Sequence, residues 1–487
     1  MTVNAPMMLA GLRDMGTESW LSAPAVADLD RDGSMEVIAG RETRVVVWRA
    51  NGAVRWGASP GTARVWAPAV VGDFVGDANL EVVAAGGDRI AMYTAAGALA
   101  PGFPVRFRGE VRALAAGDLD GDGRPEIVAA STLTAGSGAR EDVLTAYRAN
   151  GAVVTGYPPN SSGTSRCDGA CDIAGAFDQN LAVGPLDGDN SWDVVAPTDN
   201  AYISWHHGSG EAFATSSIFR GVTRSPGVRF FTDYANAQRG YSENESTDEQ
   251  AHFTTSAPAI ADIDGDGARE IVVLGSIQNA SQSDRRRGVG LFVVRPDGTR
   301  PAAWTSPFQV RQYLSGLSDY GDTNIVATTD QVAVADVDPA IAGLEVVFPA
   351  YDGRVYCVSA DRSMRWSYRF TTADDQTTAG AVIADLSGDG RPEVVFATYS
   401  TARNTSALFV LDARGALLHR IALPGRGSMS VPAIADVNGD GALEIVVNLK
   451  DAAPDEVLVF TVPGSATNCA PWSMGRGALL RNGYVAH

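Results

Sequence analysis

Residues 258–275 read PAIADIDGDGAREIVVLG, and this stretch decides the fold. A short Ala-rich segment leads into an acidic loop, and the loop leads into a run of β-branched residues that favour a strand. The pattern occurs eight times in the 487 residues, and its first acidic position or the equivalent falls at 28, 73, 118, 185, 262, 336, 385 and 436. Recurrence at such intervals indicates an array of similar structural units.

Each copy has a second half, 15 to 20 residues further on, in which an apolar run ends in turn residues. Two examples are RVVVWRANG at 44–52 and GLFVVRPDG at 290–298. Asn-Gly and Asp-Gly after such a run predict hairpins, so each unit is expected to hold four antiparallel strands, A to D. Eight such units predict an all-β fold, a β-propeller of eight four-stranded blades, with seven blades as the alternative.

We expect residues 1–487 to form a single propeller domain. The last unit has no obvious fourth strand of its own. The segment APMMLAGL, within residues 1–20, is expected to supply that strand and close the ring. Residues 466–487 are expected to form a C-terminal tail that packs on the ring.

The acidic loop between strands A and B is a candidate metal site. In five copies, oxygen-bearing side chains occupy positions 1, 3, 5 and 9, glycine occupies position 6, and position 7 can add a backbone carbonyl. Because Ca²⁺ takes six to eight oxygen ligands, the pattern predicts about five calcium sites. The predicted metal-binding residues are Asp28, Asp30, Asp32, Ser34, Glu36, Asp118, Asp120, Asp122, Arg124, Glu126, Asp262, Asp264, Asp266, Ala268, Glu270, Asp385, Ser387, Asp389, Arg391, Glu393, Asp436, Asn438, Asp440, Ala442 and Glu444.

An EF-hand loop and a simple Asp-Gly turn share part of this pattern. An EF-hand needs an acid at position 12, where the five copies have apolar residues such as Ala39. For any single copy, an Asp-Gly turn that only caps a hairpin remains the alternative. Three copies are expected to be empty turns. The copy at 73 has Val75 at position 3, the copy at 185 has Pro185 at position 1, and the copy that begins at Asp336 is one residue too long.

The loops and the A–B strands resemble FG-GAP and VCBS repeats, which build the integrin α-subunit propeller and many bacterial surface proteins. The resemblance spans roughly residues 20 to 465 and is closer to the prokaryotic variety, because the flanking Phe-Gly and Gly-Ala-Pro signatures are missing. It implies a propeller fold, calcium in the A–B loops and a binding or adhesive role. It also implies an exported location, which would be extracellular, at the cell surface or periplasmic.

Composition limits the partners. Asp and Glu number 57 against 38 Lys and Arg, a net charge of −19 that repels nucleic acid. No apolar run reaches the length of a membrane span, so we expect no membrane insertion. The first 30 residues lack the pattern of a signal peptide, so an exported chain is expected to be numbered here after processing.

Long insertions at 158–180, 206–256, 275–288 and 306–330 fall in the D–A and B–C connections, on the side opposite the acidic loops. Long loops on a rigid scaffold commonly carry binding, so this side is expected to bind a protein or glycan ligand. The alternative is that the aromatic residues there pack the insertions onto the propeller. The candidate ligand-binding residues are His206, His207, Phe230, Phe231, Tyr234, Tyr241, Tyr313 and Tyr320.

The function expected from these features is that of a binding or adhesion module. The alternatives are a lectin and a polysaccharide lyase that uses the His206–His207 pair as its base, so the sequence leaves open whether the protein is an enzyme. Cys167 and Cys171 could form a local disulfide, stay free or join a metal site with either histidine. Cys357 is expected to be a buried apolar residue.

Overall fold

The computed structural model describes residues 3–134, 140–159, 181–197, 203–225, 227–253, 256–314, 330–451, 455–466 and 470–486. Strands dominate this part of the chain, and its only α-helix is α1, Tyr234–Arg239. None of its helices is long and apolar enough to cross a membrane.

The strands follow one another in eight antiparallel sheets, here called blades 1 to 8. After β1 (Met7–Leu12), blade 1 holds β2 (Ala25–Ala27), β3 (Glu36–Arg41), β4 (Arg44–Arg49) and β5 (Val54–Ala58), and blade 2 holds β6 (Val70–Gly72), β7 (Glu81–Gly86), β8 (Arg89–Tyr93) and β9 (Val105–Arg106). Blade 3 holds β10 (Ala113–Gly117), β11 (Glu126–Thr134) and β12 (Arg140–Tyr147), and blade 4 holds β13 (Ala182–Gly184), β14 (Asp193–Pro197) and β15 (Ile203–His206).

The insertion before blade 5 carries α1, β16 (Glu249–His252) and β17 (Ser256–Ala257). Blade 5 holds β18 (Ala259–Ala261), β19 (Glu270–Asn279), β20 (Val289–Val294), a 3-10 turn at Ala302–Trp304 and β21 (Phe308–Val310). After β22 (Asp330–Gln331), blade 6 holds β23 (Ala333–Ala335), β24 (Glu345–Ala350), β25 (Arg354–Ser359) and β26 (Met364–Arg369). Blade 7 follows with β27 (Gln376–Thr378), β28 (Val382–Ala384), β29 (Glu393–Ser400), β30 (Ala407–Leu411) and β31 (Leu417–Ala422), and blade 8 with β32 (Ala433–Ala435), β33 (Leu443–Asn448) and β34 (Val457–Val462).

The predicted all-β propeller with eight blades is confirmed. Strand A of each blade pairs antiparallel with strand B, as in the register Ala25–Ile38 of blade 1. In blades 3 and 4 the fourth position is an isolated bridge, formed by Val153 with Tyr147 and by Ala212 with His206.

The ring is closed by the two ends of the repeat region. Strand β1 pairs antiparallel with β34, with Leu12 opposite Val457 and Met7 opposite Thr461. The N-terminal segment therefore supplies the outer strand of blade 8, more than 440 residues away in sequence.

The core consists of apolar side chains packed between neighbouring blades. Tyr368 of blade 6, for example, packs on Phe409 of blade 7 with ring centroids 5.9 Å apart. Buried tryptophans also join blades through hydrogen bonds. The indole N–H of Trp304 in blade 5 donates to Ala360 O in blade 6 at 2.7 Å, and that of Trp366 in blade 6 donates to Ala413 O in blade 7 at 3.0 Å.

The C-terminal tail, residues 470–486, runs along the innermost strands. Its backbone carbonyls accept hydrogen bonds of 2.7–3.0 Å from strand A of six blades. These bonds are Val71 N to Leu479 O, Ala116 N to Leu480 O, Val183 N to Asn482 O, Ile260 N to Gly483 O, Ile383 N to Trp472 O and Ile434 N to Ser473 O. The tail therefore lies in the centre of the ring and ties the blades together from inside.

Two fully buried arginines hold the tail in place. Arg476 donates to Leu181 O and Leu114 O, and Arg481 donates to the carbonyls of Ala23, Pro24, Ala69 and Gly475. Neither forms an ion pair within the described ranges, and burial lowers the pKa of Arg481 to about 9. These guanidinium groups satisfy carbonyls that the short A strands leave unpaired.

We predict that Arg481→Met destabilises the protein by about 3 kcal/mol or more, because several buried carbonyls lose their donor. The midpoint of urea denaturation measures the effect. Arg414→Met, at an exposed turn of blade 7, is the control and should change the stability by no more than about 0.5 kcal/mol. Equal midpoints for the two variants would contradict the role given to Arg481.

Candidate metal sites

The first aspartate of each intact A–B loop shapes the loop. In blade 5, Asp262 Oδ1 accepts hydrogen bonds from the N–H groups of Gly265 (2.8 Å) and Asp266 (3.0 Å), and Oδ2 accepts one from Gly267 (2.8 Å). Gly265 and Gly267 have φ values of 76° and 91°, which other residues rarely adopt. Glycine is therefore needed for the bend that brings the acidic side chains onto one side.

The acid at position 9 closes the loop in every blade. One of its oxygens accepts the backbone N–H of position 2 at 2.7–3.2 Å. Position 9 therefore has a structural role in addition to the ligand role predicted for it. This bond was not predicted from the sequence, although the three altered copies also keep an acid there, as Glu81 and Asp193 at position 9 and as Glu345 one residue later, at position 10 of the longer loop.

Three of the five predicted loops bring three carboxylates together. One oxygen from each residue lies within 4.8 Å of the others in the sets Asp28, Asp30, Asp32; Asp118, Asp120, Asp122; and Asp262, Asp264, Glu270. In the other two intact loops, position 3 is Ser387 or Asn438. Ser387 Oγ lies 3.4 Å from Asp385 Oδ1, and Asn438 Nδ2 donates to Asp440 Oδ2 at 3.0 Å.

The buried glutamate of the blade 5 loop has no close compensating charge. Glu270 Oε1 is buried and accepts no hydrogen bond, and its nearest cationic atom, Arg295 Nε, is 4.0 Å away. Burial raises the pKa of Glu126, Glu270 and Glu393 to about 7. An all-oxygen set with such a carboxylate fits a hard divalent cation.

Arginines partly neutralise two of the loops. Arg55 Nη1 lies 2.7 Å from Asp30 Oδ2 and 2.8 Å from Glu36 Oε1 in blade 1. Arg148 Nη1 lies 2.6 Å from Asp120 Oδ2 in blade 3. A cation bound in either loop would share these carboxylates with a guanidinium.

The altered loops differ from one another. Asp73 still accepts three backbone N–H groups of its loop, but position 3 is Val75. In blade 4, where Pro185 replaces the first aspartate, His207 Nδ1 lies 3.3 Å from Asp187 Oδ2 and 3.4 Å from Asp193 Oδ1. The expectation that His207 lies on the side of the insertions is therefore wrong, because the residue belongs to the A–B loop side.

Comparison with known sequences identifies the repeat. Residues 385–447, from the acidic loop of blade 7 to strand β33 of blade 8, match the FG-GAP-like repeat. Residues 385–447 therefore carry an FG-GAP-like repeat within a β-propeller of eight blades. No curated protein matches the sequence.

The chain is also similar to several solved structures. BamB from Moraxella catarrhalis is 12% identical, with a TM-score of 0.50 and 95% of this chain and 99% of that chain covered. Quinohemoprotein alcohol dehydrogenase from Comamonas testosteroni is 13% identical, with a TM-score of 0.51 and coverage of 95% and 77%. The V. cholerae biofilm matrix protein Bap1 is 14% identical, with a TM-score of 0.43 and coverage of 99% and 96%. At these identities the similarity concerns the fold alone.

Three of the aromatic residues predicted to bind a ligand, Phe230, Phe231 and Tyr234, instead pack the insertion onto the propeller. His206 is buried in strand β15, and Phe230 and Phe231 are fully buried. Tyr234 is half-buried in α1, and its hydroxyl accepts the N–H of Arg300. Tyr241 and Tyr313 are exposed, whereas Tyr320, Cys167, Cys171 and Cys469 lie outside the described residues. Cys357 is buried, as expected.

A cluster of aromatic and basic residues on the side opposite the A–B loops was not predicted from the sequence. We call Trp20, Arg64, Trp66, Arg112 and Lys450 the Trp20–Trp66 cluster. The Arg64 guanidinium lies over both indoles, 4.3 Å from the Trp20 ring centroid and 4.8 Å from that of Trp66. Arg112 covers Trp66 at 3.8 Å, and Lys450 Nζ covers Trp20 at 3.8 Å.

The charges of this cluster are unevenly paired. Lys450 Nζ contacts Glu18, and the Trp66 indole donates to Glu110 Oε1 at 2.9 Å. Arg64 forms no ion pair with any residue that the structure describes. Both tryptophans stand in the connection before a strand A, and this was the only sequence signal available for them.

We predict that the chelator-treated protein loses stability as the pH rises from about 5 to about 8. The pKa of Glu270 is about 7 in the folded state and 4.5 in the unfolded chain, so the folded state binds its proton more tightly and deprotonation disfavours folding. Glu270→Gln should reduce this pH dependence, measured as melting temperature in EDTA at each pH. Glu211→Gln, at an exposed site, should not change it.

Proposed function

We propose that the protein is an exported, calcium-stabilised binding module of adhesive type. Its proposed ligand carries carboxylates, as an acidic glycan does, and docks on the side opposite the A–B loops. Millimolar calcium outside the cytoplasm keeps even weak loops loaded, which favours an extracellular, cell-surface or periplasmic location.

The position of Arg64 is the observation that carries this proposal. Its guanidinium is held over the rings of Trp20 and Trp66 and has no carboxylate partner within the described ranges. A guanidinium binds a carboxylate through paired hydrogen bonds, and a guanidinium that is already ordered loses little entropy on binding. The net charge of −19 opposes an acidic ligand only over long distances, because physiological salt screens charges beyond about 8 Å.

In this function, calcium would neutralise the carboxylates of the A–B loops. Asp28, Asp118, Asp262, Asp385, Asp436 and the other acids of these five loops would hold it. By joining strand A to strand B, each loop limits movement of its blade. A rigid ring in turn keeps Trp20, Trp66 and Lys450, which come from different connections, in register.

The lyase alternative depended on a histidine pair. His206 is buried within a strand and His207 contacts two aspartates of the A–B loop, so the pair does not face the insertions. The histidine pair therefore gives the lyase alternative no support. A lectin remains compatible with the proposal, since an acidic glycan is its proposed ligand.

We predict that excess EDTA lowers the melting temperature of the wild-type protein. Each site lost would remove about 2.7 kcal/mol at calcium concentrations a hundredfold above its Kd. Asp118→Asn should reduce the difference in melting temperature between calcium and EDTA.

Asp73→Asn is the matched control, because Asp73 caps its loop with the same hydrogen bonds but lacks an acid at position 3. Both variants should lose some stability, and only Asp118→Asn should lose calcium response. A wild-type melting temperature that EDTA leaves unchanged would refute the calcium role.

For the ligand, we predict that the protein binds a polyuronate and does not bind a neutral glucan, as measured by titration calorimetry. Arg64→Ala should weaken polyuronate binding at least tenfold, because a charged hydrogen-bonded pair is worth about 1.5–3 kcal/mol. Arg414→Ala, at an exposed turn on the loop side, is the control. Equal affinity of both variants for polyuronate would exclude Arg64 as the anchor.

A further inference from the structure

Blade 4 has lost the calcium pattern but kept three acids. Pro185 stands where the other loops have the capping aspartate, whereas Asp187, Asp189 and Asp193 occupy positions 3, 5 and 9. A nitrogen donor joins them, because His207 follows strand β15 directly, one step beyond the Val194–His206 pair. The set therefore combines two kinds of donor, unlike the all-oxygen loops.

Three donor atoms of this set converge. Asp187, Asp193 and His207 each contribute one atom to a group whose members lie within 4.8 Å of one another. The His207 Nδ1 contacts are 3.3 Å to Asp187 Oδ2 and 3.4 Å to Asp193 Oδ1. Charge-assisted hydrogen bonds are shorter, at about 2.7–2.9 Å. Ligands about 2.0–2.1 Å from a tetrahedral metal lie about 3.3 Å apart, which matches both contacts.

The Asp193 carboxylate is the second observation. Its side chain is completely buried, and Oδ1, the atom that faces His207, accepts no hydrogen bond. Oδ2 accepts the N–H groups of Leu186 (2.8 Å) and Asp187 (3.3 Å), so the carboxylate is fixed in orientation. A buried oxygen without a donor is costly unless it is neutralised.

The other two donors are also held in place. Asp187 Oδ1 accepts the N–H of Asp189 at 3.1 Å, which leaves Oδ2 directed toward His207. The His207 ring stacks on Phe213 with centroids 3.7 Å apart, and its backbone N–H donates to Glu211 O at 2.8 Å. The His207 side chain is 32% exposed, so solvent reaches the site.

In two other blades, the residue equivalent to His207 is an arginine. Arg148 and Arg295 follow strand C of blades 3 and 5 at the same register step and lie near the position-9 glutamates. An arginine stays protonated and can only pair with acids. A neutral histidine can instead donate a lone pair to a metal.

We infer that blade 4 binds a divalent transition metal of the zinc class through Asp187 Oδ2, Asp193 Oδ1 and His207 Nδ1. Imidazole and carboxylate donors together suit zinc, whereas calcium prefers oxygen alone. Three protein ligands leave one coordination position for water or for a ligand atom. This site is independent of the calcium loops and of the acidic-glycan surface.

Zinc binding to the full chain tests this inference, with Zn²⁺ titrated against a chromogenic chelator in buffer that contains millimolar Ca²⁺. We expect one Zn²⁺ per chain from this site, and a rise in melting temperature on zinc addition. His207→Gln and Asp193→Asn should each weaken that binding at least tenfold and abolish the rise. Asn at 193 retains an acceptor for Leu186 N–H, so the loop should still close.

Two controls separate the site from other zinc ligands. His419→Gln removes a histidine elsewhere, at strand β31, and should leave zinc affinity unchanged. The double variant Cys167→Ser and Cys171→Ser should also leave it unchanged. The inference is overturned if the site variants bind zinc as well as the wild type does, if the Cys167→Ser and Cys171→Ser double variant loses binding, or if the millimolar calcium of the buffer prevents zinc binding.

Discussion

No blade of this protein can bury both of its faces alone. A four-stranded sheet needs an apolar neighbour on each side, so the ring is stable only when all eight interfaces exist together. Strand β1 supplies the missing edge of blade 8, and tryptophan hydrogen bonds such as that of Trp304 join successive blades. The tail adds bonds to six innermost strands. The scaffold that holds the loops and surfaces is therefore rigid only when all the blades are assembled.

The sequence was most informative where the pattern was local. Strand order, blade number and loop position follow from a short motif that recurs eight times, because turn residues and β-branched runs act over a few residues. The burial of Phe230 and Phe231 was not predictable in the same way, since an irregular insertion has no fixed period that separates inner from outer residues. The face of His207 was misassigned because one residue past the end of β15 already belongs to the other side.

Contacts between residues far apart in sequence could not be predicted from the repeat pattern. The Trp20–Trp66 cluster joins Trp20 to Lys450, 430 positions apart, and nothing near either residue indicates the contact. The path of the tail could not be predicted either, because it depends on hydrogen bonds from Arg481 to the distant carbonyls of Ala23 and Pro24. In the loops, the chemistry of the donors was evident from sequence, whereas the hydrogen bond from position 2 to position 9 needed coordinates. That bond gives the acid a structural role in loops that lack some of the other acids.

The central tail has a consequence for biosynthesis. Residues 470–486 bond to a strand of blade 2, which is synthesised about 400 residues earlier. The inner edges of the early blades therefore stay unpaired until the tail has been synthesised. Such a chain has high contact order and a long interval of exposure to aggregation. Chaperone protection during folding would therefore matter more for this protein than for one whose domains fold in turn.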